Sequence, residues 1–178
     1  VETHINFHGQ LSDLSLEFGF LNSFFSSGFK SSFDKAILQY APFDVHEWKK
    51  IDEIPFDFEK RRVSVLLEKS GYRWLVVKGA PDEVFSLCSY ATENHLDSKF
   101  PLNDDVLQAA KNTYRSLEAK GFRVLGVGLR RWHSDASDSV NDKHANFIFL
   151  GFIAFSDPPK LSAGGTLQAL ENLGINIK

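Results

Sequence analysis

The spacing of apolar residues predicts three main helices. From Leu11 to Phe25, apolar residues recur every three or four positions, as on one face of an amphipathic helix. A second, shorter helix is predicted over Ser31 to Leu38, with a serine cap at its start and Pro42 beyond its end. The same periodicity predicts a helix from Asp104 to Lys120, which Gly121 ends.

Alternating and continuous apolar runs predict the strands. An extended pattern runs from Trp48 to about Phe56, where Pro55 favours an edge position or a strand end. Phe122 to Leu129 predicts another strand, and the almost wholly apolar run from Phe147 to Phe155 predicts a central one. The polar stretch 133–144 is interpreted as an exposed loop, and a helix is predicted to begin at Pro81.

Two β-rich runs joined by Ser70-Gly71 predict a hairpin. If Lys69 pairs with Tyr72, Glu68 faces Arg73, and this opposite-charge pair supports the register. The register then places these further residues opposite each other: Leu67 and Trp74, Leu66 and Leu75, Val65 and Val76, Val63 and Lys78, Arg62 and Gly79. We therefore expect the open end of the hairpin to carry one cationic site.

That cationic site is a candidate for an anionic ligand. Arg61, Arg62 and Lys78 supply positive charge, Gly79 allows close approach of a backbone, and Phe56 offers an aromatic face for a base. The commoner alternative for such a pattern is that the basic side chains are solvated and that Phe56 belongs to the core. The residues by themselves leave both interpretations open.

Composition limits the class of protein. The chain has 178 residues, of which 43% are hydrophobic and 24% charged, which fits a globular domain. Its longest apolar run is too short to span a membrane, and a net charge of −3 disfavours a general nucleic-acid or membrane surface. Cys88 has no partner cysteine, and we expect it as a small buried residue on a helix face with Val84 and Phe85. Because the chain has no methionine, we interpret it as an excised piece.

Catalytic signatures are missing from the sequence. No P-loop motif occurs, and Gly126-x-Gly128 lacks the third glycine of a dinucleotide fingerprint. The six histidines have no ligand spacing, so we predict no metal site. A stand-alone phosphatase or kinase is disfavoured, because no aspartate lies in a phosphate-accepting motif and no P-loop occurs.

Three motifs resemble the nucleotide-binding domain of P-type cation-transporting ATPases. They occur in family order: Ile54-Pro55-Phe56, then Val77-Lys78-Gly79-Ala80-Pro81-Asp82-Glu83, then Phe155-Ser156-Asp157-Pro158-Pro159-Lys160. Within this family, the sequence most resembles those of bacterial magnesium-transporting pumps. Three segments carry this similarity: Leu21-Asn22-Ser23, Phe33-Asp34-Lys35-Ala36 and residues 50–59.

The resemblance implies roles for the residues that match. Phe56 would stack on adenine, Lys78 would line the adenine pocket, and Gly79 would allow close approach. Asp34 falls where many relatives have a glutamate near the adenine amino group, and Arg123 matches an arginine that reaches the phosphates.

Two positions differ from the family pattern. Arg61 stands where several relatives have lysine, which keeps the charge but changes the donor geometry. Phe58 stands where some relatives have arginine. These differences motivate an alternative function, in which the same fold is a protein-interaction module without nucleotide binding.

The resemblance also implies fold, domains and function. The fold would be α+β, a twisted, mainly antiparallel sheet flanked by helices, with residues 1–9 as a linker within a nucleotide-binding domain of residues 1–156. Residues 157–178 would form a hinge and a short piece of a Rossmann-like phosphorylation domain. The domain would bind ATP with Mg²⁺ and deliver the γ-phosphate to an aspartate elsewhere, powering cation transport. It would be the non-catalytic cytoplasmic part of a bacterial membrane protein, would contact the phosphorylation and actuator domains, and would touch neither membrane nor nucleic acid.

Overall fold

The extended segments of the chain pair into one mostly antiparallel sheet that carries helices on its faces. A computed structural model describes residues 1–132 and 146–156. The predicted loop at 133–144 and the hinge and domain piece expected at 157–178 lie outside these described residues. The elements are β1 (Thr3–Ile5), α1 (Asp13–Phe25), α2 (Ser32–Tyr40), β2 (Lys49–Asp57), β3 (Arg62–Lys69), β4 (Tyr72–Gly79), α3 (Pro81–Phe85), β5 (Cys88–Thr92), β6 (Lys99–Pro101), α4 (Asp104–Ala119), β7 (Arg123–Trp132) and β8 (Phe147–Phe155).

The sheet is built around β8. Its strand order is β2-β3-β4-β7-β8-β5-β6, and β1 also pairs with β8. Only the pairing of β5 with β8 is parallel among the described strands; the other pairs are antiparallel. The central position of β8 explains why that segment is almost wholly apolar, because both of its faces are covered. The predicted α+β class with a mainly antiparallel sheet is confirmed.

The β3–β4 hairpin has the predicted register at every position. Lys69 pairs with Tyr72, Arg62 pairs with Gly79, and all pairs between them follow. Ser70 and Gly71 both have positive φ, as a two-residue hairpin turn requires. The Glu68–Arg73 ion pair, at 2.9 Å, joins the two strands beside that turn.

Alternation along the strands gives the sheet two apolar faces. One face packs against α3 and α4 through residues that include Leu66, Val77, Val84, Phe149 and Leu117. The other packs against α1 and α2 through residues that include Val65, Val76, Leu21, Ile37 and Ile153. The site described below lies on the second face, at the end of β4.

The position of Cys88 differs from the sequence-based expectation, and the strand at Thr3–Ile5 was not predicted. Cys88 is the first residue of β5 rather than part of a helix, because α3 ends at Phe85 after only five residues. A short apolar run does not distinguish a helix end from a strand start. Residues Thr3–Ile5 join the sheet beside Phe152–Ala154. Within the described residues, no helix combines the length and the apolar character that crossing a membrane demands.

Candidate functional site

Lys78 is a buried lysine near the end of β4. Its side chain is 5% exposed, and its Nζ lies 2.5 Å from Oδ1 of Asp34 and 2.5 Å from Oγ of Ser23. A buried ammonium is costly unless it is paired and hydrogen-bonded, and both conditions are met here. The expectation that basic residues of this hairpin are solvated is therefore wrong for Lys78.

The start of α2 places the Asp34 carboxylate. Ser31 is the N-cap, and its hydroxyl accepts a hydrogen bond from the Asp34 backbone N–H. In return, Oδ2 of Asp34 accepts hydrogen bonds from the Ser31 backbone N–H at 2.9 Å and from its hydroxyl at 2.6 Å. This capping box fixes the side-chain rotamer and leaves Oδ1 to accept from Lys78.

The pair determines the charge state of both groups. Burial by itself would raise the pKa of the Asp34 carboxyl, but the charge and hydrogen bond of Lys78 and the hydrogen bonds from Ser31 lower that pKa to about 2. Burial lowers the pKa of the Lys78 ammonium, Asp34 opposes this, and Lys30 adds a smaller lowering. At neutral pH, Asp34 is therefore a carboxylate paired with the Lys78 ammonium.

Hydrogen bonds attach the loop between α1 and α2 both to the C-terminal end of α1 and to strand β2. The Lys30 ammonium donates to the backbone carbonyls of Ser23 and Ser26, at the C-terminal end of α1. The backbone N–H of Ser27 donates to Glu53 of β2 at 2.9 Å, and Lys50 donates to the same carboxylate. The loop is thereby held against strand β2.

Phe56 lies exposed on the edge strand β2. Its side chain is 51% exposed, and its ring makes an edge contact with Phe58 at 5.2 Å between centroids. The alternative that Phe56 belongs to the core is therefore wrong. Phe56 lies in a register shift of β2 between Ile54, which pairs with Ser64 of β3, and Asp57, which pairs with Arg62. Val63, between Arg62 and Ser64, pairs with Lys78. The backbones of Phe56 and Lys78 are thus about 10 Å apart, two strand spacings.

Gly79 is required by the packing of the β2–β3 turn. A Cβ at this position would lie 2.6 Å from Cβ of Arg62 and 2.7 Å from its Cα, closer than real side chains approach. The Ala80 backbone N–H also donates to the Arg61 carbonyl at 3.0 Å. The close approach expected at Gly79 is therefore observed, and its partner here is the chain itself.

The predicted single cationic site is not formed. Lys78 contacts α1 and α2, whereas Arg61 and Arg62 contact Glu83 of α3, at 3.3 Å and 3.5 Å. The cause is the alternation of side chains: Val63 shares a face with Lys78, so Arg62, the next residue, points to the other face. Each cationic group is also compensated by a carboxylate, Asp34 or Glu83.

Arg123 begins β7, on the same face as Lys78. Lys78 pairs with Val127, and Arg123 lies four residues earlier on that strand, at a distance of about 13 Å. Arg123 pairs with Phe155, whose ring contacts that of Phe33, the residue before Asp34. The register therefore places the exposed Arg123 at the same end of the sheet as Asp34.

Several residues of this region were missed by the sequence-based interpretation. They are Ser23, Asn22, Lys30 and Glu53, which hold Lys78, the hairpin and the α1–α2 loop. A signal was available for two of them, since Asn22 and Ser23 are polar residues in an otherwise apolar helical run and both are fully buried. Among the described residues, no cluster of three or more His, Cys, Asp or Glu could hold a metal ion.

Comparison with known proteins identifies the family. The sequence profile described as "P-type ATPase, cytoplasmic domain N" matches residues 8–162. The "Magnesium-transporting ATPase, P-type 1" of Escherichia coli (strain K12) is 35% identical over 184 residues, which cover 100% of this chain and 20% of that protein. The human "Sodium/potassium-transporting ATPase subunit alpha-4" is 30% identical over 138 residues, which cover 72% of this chain and 13% of that protein. The chain spans about a fifth of the length of the magnesium-transporting relative. It belongs to the P-type ATPase family and corresponds to the cytoplasmic domain N.

Proposed function

We propose that this chain binds Mg-ATP and delivers its γ-phosphate to an aspartate in a separate phosphorylation domain of the same protein. The observation that carries the proposal is the exposed ring of Phe56 on β2, two strands from the buried Lys78–Asp34 pair at the end of β4. An exposed aromatic face offers stacking to a base, and a fixed ammonium offers a hydrogen-bond donor at the edge of that base. In such a site adenine would lie over Phe56, and Lys78 would line its pocket.

The phosphates would extend from this pocket past two arginines. Arg61 is 59% exposed and contacts Glu83 on the α3 side of the sheet, at 3.3 Å, so to reach a phosphate on the Lys78 side it would have to leave this surface ion pair, which costs little. Arg123 lies on the Lys78 face, about 13 Å further along the sheet, which is comparable with the reach of a triphosphate. Gly79 supports the site by allowing the turn that carries Arg61 to pack against β4. Mg²⁺ would enter bound to the phosphates.

In the whole protein this domain would have a positioning role. Phosphoryl transfer is catalysed mainly by placing the nucleotide in line with its acceptor and by stabilising the charge that develops. The domain would hold the nucleotide, and the acceptor aspartate and the remaining catalytic groups would belong to the phosphorylation domain. The names of the bacterial relatives favour Mg²⁺ as the transported cation. The phosphorylation and actuator domains would be its partners on the cytoplasmic side of a bacterial membrane.

The test is an ATP titration followed by amide NMR. We compare the wild-type chain with Phe56→Ala and Lys78→Ala, and use Phe100→Ala as the matched control, because Phe100 is 40% exposed on β6, at the opposite edge of the sheet. We expect saturable shifts around Phe56, Lys78 and Arg123 with a dissociation constant of roughly 0.1 to several mM, or about −4 to −5.5 kcal/mol. Both site variants should weaken binding, and the control should not.

The contrary result is equally definite. If several millimolar ATP leaves every amide shift unchanged, the chain does not bind the nucleotide. The protein-interaction alternative would then be favoured, and the exposed rings of Phe56 and Phe58 would be the first surface on which to look for a partner.

A further inference from the structure

We propose that four residues at the turned end of the β3–β4 hairpin form a docking surface for an acidic peptide segment from outside this chain. They are Lys69, Tyr72, Trp74 and Arg131, and together they are called the hairpin surface below. Tyr72 is six residues from Lys78 along β4, so the hairpin surface lies about 20 Å from the candidate nucleotide site. Binding there is therefore independent of the proposed binding of ATP.

Strand pairing places these four side chains on one face of the sheet. Lys69 pairs with Tyr72, and Trp74 pairs with Arg131 of β7. Tyr72 and Trp74 are two residues apart in β4, so their side chains point to the same side. On that side Trp74 packs against the apolar core beneath α1 and α2. Because Tyr72 is 52% exposed and Arg131 is exposed as well, a partner can reach both.

The guanidinium of Arg131 is held by aromatic rings and not by a carboxylate. Its Cζ lies 4.4 Å from the ring centroid of Tyr72 and 5.9 Å from that of Trp74, within the range of cation–π attraction. Within residues 1–132 and 146–156, Arg131 forms no ion pair and its side chain donates no hydrogen bond. The rings therefore restrain the side chain in advance of binding and leave its N–H donors available to a ligand.

The charges around Arg131 indicate how many anionic groups the surface can take. Lys69 is paired with Glu47 at 3.0 Å, and Arg73 is paired with Glu68 at 2.9 Å. Of these three cations, Arg131 is the one without a carboxylate among the described residues. An anionic membrane or a nucleic acid binds to several free cations, which this surface does not offer. A single guanidinium instead suits one carboxylate, which it can bind at two points.

The aromatic residues indicate what accompanies that carboxylate. Tyr72 is half-exposed, and Trp48 lies under the Lys69 ammonium, whose Nζ is 5.3 Å from its ring centroid. Apolar side chains on either side of a bound carboxylate would cover this aromatic area and exclude water from it. A nucleotide base fits less well, because Arg131 already covers one ring face of Tyr72. The partner that matches is a peptide in which an acidic residue is flanked by apolar ones.

The test is a titration with a blocked hexapeptide of alternating aspartate and leucine, followed by amide NMR. We expect saturable shifts of the Tyr72 and Arg131 amides and of the Trp74 indole N–H. A matched peptide with asparagine in place of aspartate should bind at least about fivefold more weakly, because it offers no carboxylate. Inorganic phosphate should also bind at least about fivefold more weakly, because it makes no apolar contact. Equal binding of either control probe, or no shifts at several millimolar acidic peptide, would overturn the proposal.

Substitutions of Arg131 separate its donor geometry from simple charge. We expect Arg131→Gln to weaken binding of the acidic peptide at least about fivefold, and Arg131→Lys about threefold, since an ammonium cannot bind a carboxylate at two points. Because Arg131 is exposed, both variants should keep the wild-type amide spectrum away from the hairpin surface.

Arg115→Gln is the matched control for charge. Arg115 is an exposed arginine of α4, on the other side of the sheet, and makes no aromatic contact within the part of the chain that the structure describes. Its substitution should change the dissociation constant of the acidic peptide less than about twofold. Equal weakening by Arg115→Gln and Arg131→Gln would show a general charge effect and would overturn the proposal.

Two further measurements exclude other occupants. Residues 133–145, which lie outside the described residues, include Asp135, Asp138 and Asp142. Replacing these three by asparagine should leave the Trp74 indole signal unchanged and the peptide dissociation constant within about twofold. A shifted indole signal with tighter peptide binding would show that the chain's own segment occupies the surface, and would overturn the proposal. Competition between ATP and the peptide would overturn it as well. A chain that binds the peptide but no ATP would refute the proposed function alone.

Discussion

The Nζ atom of Lys78 lies 2.5 Å from Oδ1 of Asp34, although 44 positions separate the two residues in the sequence. The contact joins the first turn of α2 to the end of β4. It also explains why a lysine is tolerated on an apolar face of the sheet, because its charge has a partner inside the protein. The same contact makes stability depend on the charge of a single carboxylate.

The pKa of Asp34 predicts a loss of stability in acid. Folding lowers this pKa from its ordinary 3.8 to about 2, so the folded state favours the carboxylate. The resulting stabilisation is fully present well above pH 4 and is lost as the pH falls through 4 towards 2. The shift corresponds to about 2 kcal/mol in the free energy of unfolding. Urea denaturation of the wild-type chain and of Asp34→Asn, at pH 7 and pH 2.5, measures this difference.

The comparison between variants isolates Asp34 from the other acids. We expect the gap between the wild-type chain and Asp34→Asn to be large at pH 7 and to shrink by about 2 kcal/mol at pH 2.5. Asp97→Asn is the control, because Asp97 is exposed and its variant should follow the wild-type chain at both pH values. A gap for Asp34→Asn that is independent of pH would contradict the assigned role of the ion pair.

Gly79 and Gly28 predict opposite responses to alanine. A Cβ at Gly79 would collide with the backbone and Cβ of Arg62, so the β2–β3 turn must move. We expect Gly79→Ala to lower the free energy of unfolding by about 1–3 kcal/mol. At Gly28 a Cβ would meet nothing within 4 Å, and Gly28→Ala should be neutral or slightly stabilising. Chemical denaturation of both variants measures these effects. Equal effects of the two substitutions would contradict the prediction.

The sequence predicted local structure well where neighbouring residues carry the signal. The β3–β4 register followed from the Glu68–Arg73 pair and from matched apolar pairs on both sides of a two-residue turn. The Ser31 cap was predicted in the same way, since serine before a helical run is a local signal. The order of the strands was not predicted, because the pairing of β4 with β7 joins segments about 50 residues apart.

The candidate site was predicted only in part. The hairpin pattern supplied Phe56 and Lys78, and the family resemblance added Asp34, but nothing in the pattern indicated that Lys78 and Asp34 pair with each other. The prediction of a single cationic site was wrong. Side chains alternate between the two faces of a strand, so the register itself puts Lys78 and Arg62 on opposite faces of the sheet. The contribution of Ser23 requires the packing of α1 on the sheet, which no local pattern encodes.

Asn22 is predicted to hold α1 on the hairpin. Its Nδ2 donates to the Val76 carbonyl at 2.9 Å and to the Val63 carbonyl at 3.3 Å, and the residue is fully buried. We expect Asn22→Ala to lower the free energy of unfolding by about 2 kcal/mol, because a buried carbonyl and a partly buried one lose a donor. Asn112→Ala is the control, since Asn112 is exposed on α4 and should change stability by less than about 0.5 kcal/mol. Equal effects in thermal denaturation would contradict this role.

Cys88 is predicted to react slowly while the chain is folded. Burial raises the pKa of its thiol well above the ordinary value of 9.0, so little thiolate exists at pH 8. Because the thiolate is the nucleophile, we expect alkylation by iodoacetamide at pH 8 to be at least about tenfold slower in buffer than in denaturing urea. The rate should rise along the unfolding transition and should therefore serve as an independent probe of the stability differences predicted for Asp34 and Gly79. Equal rates in the two conditions would show that Cys88 is accessible in the folded chain and that its position at the start of β5 does not protect it.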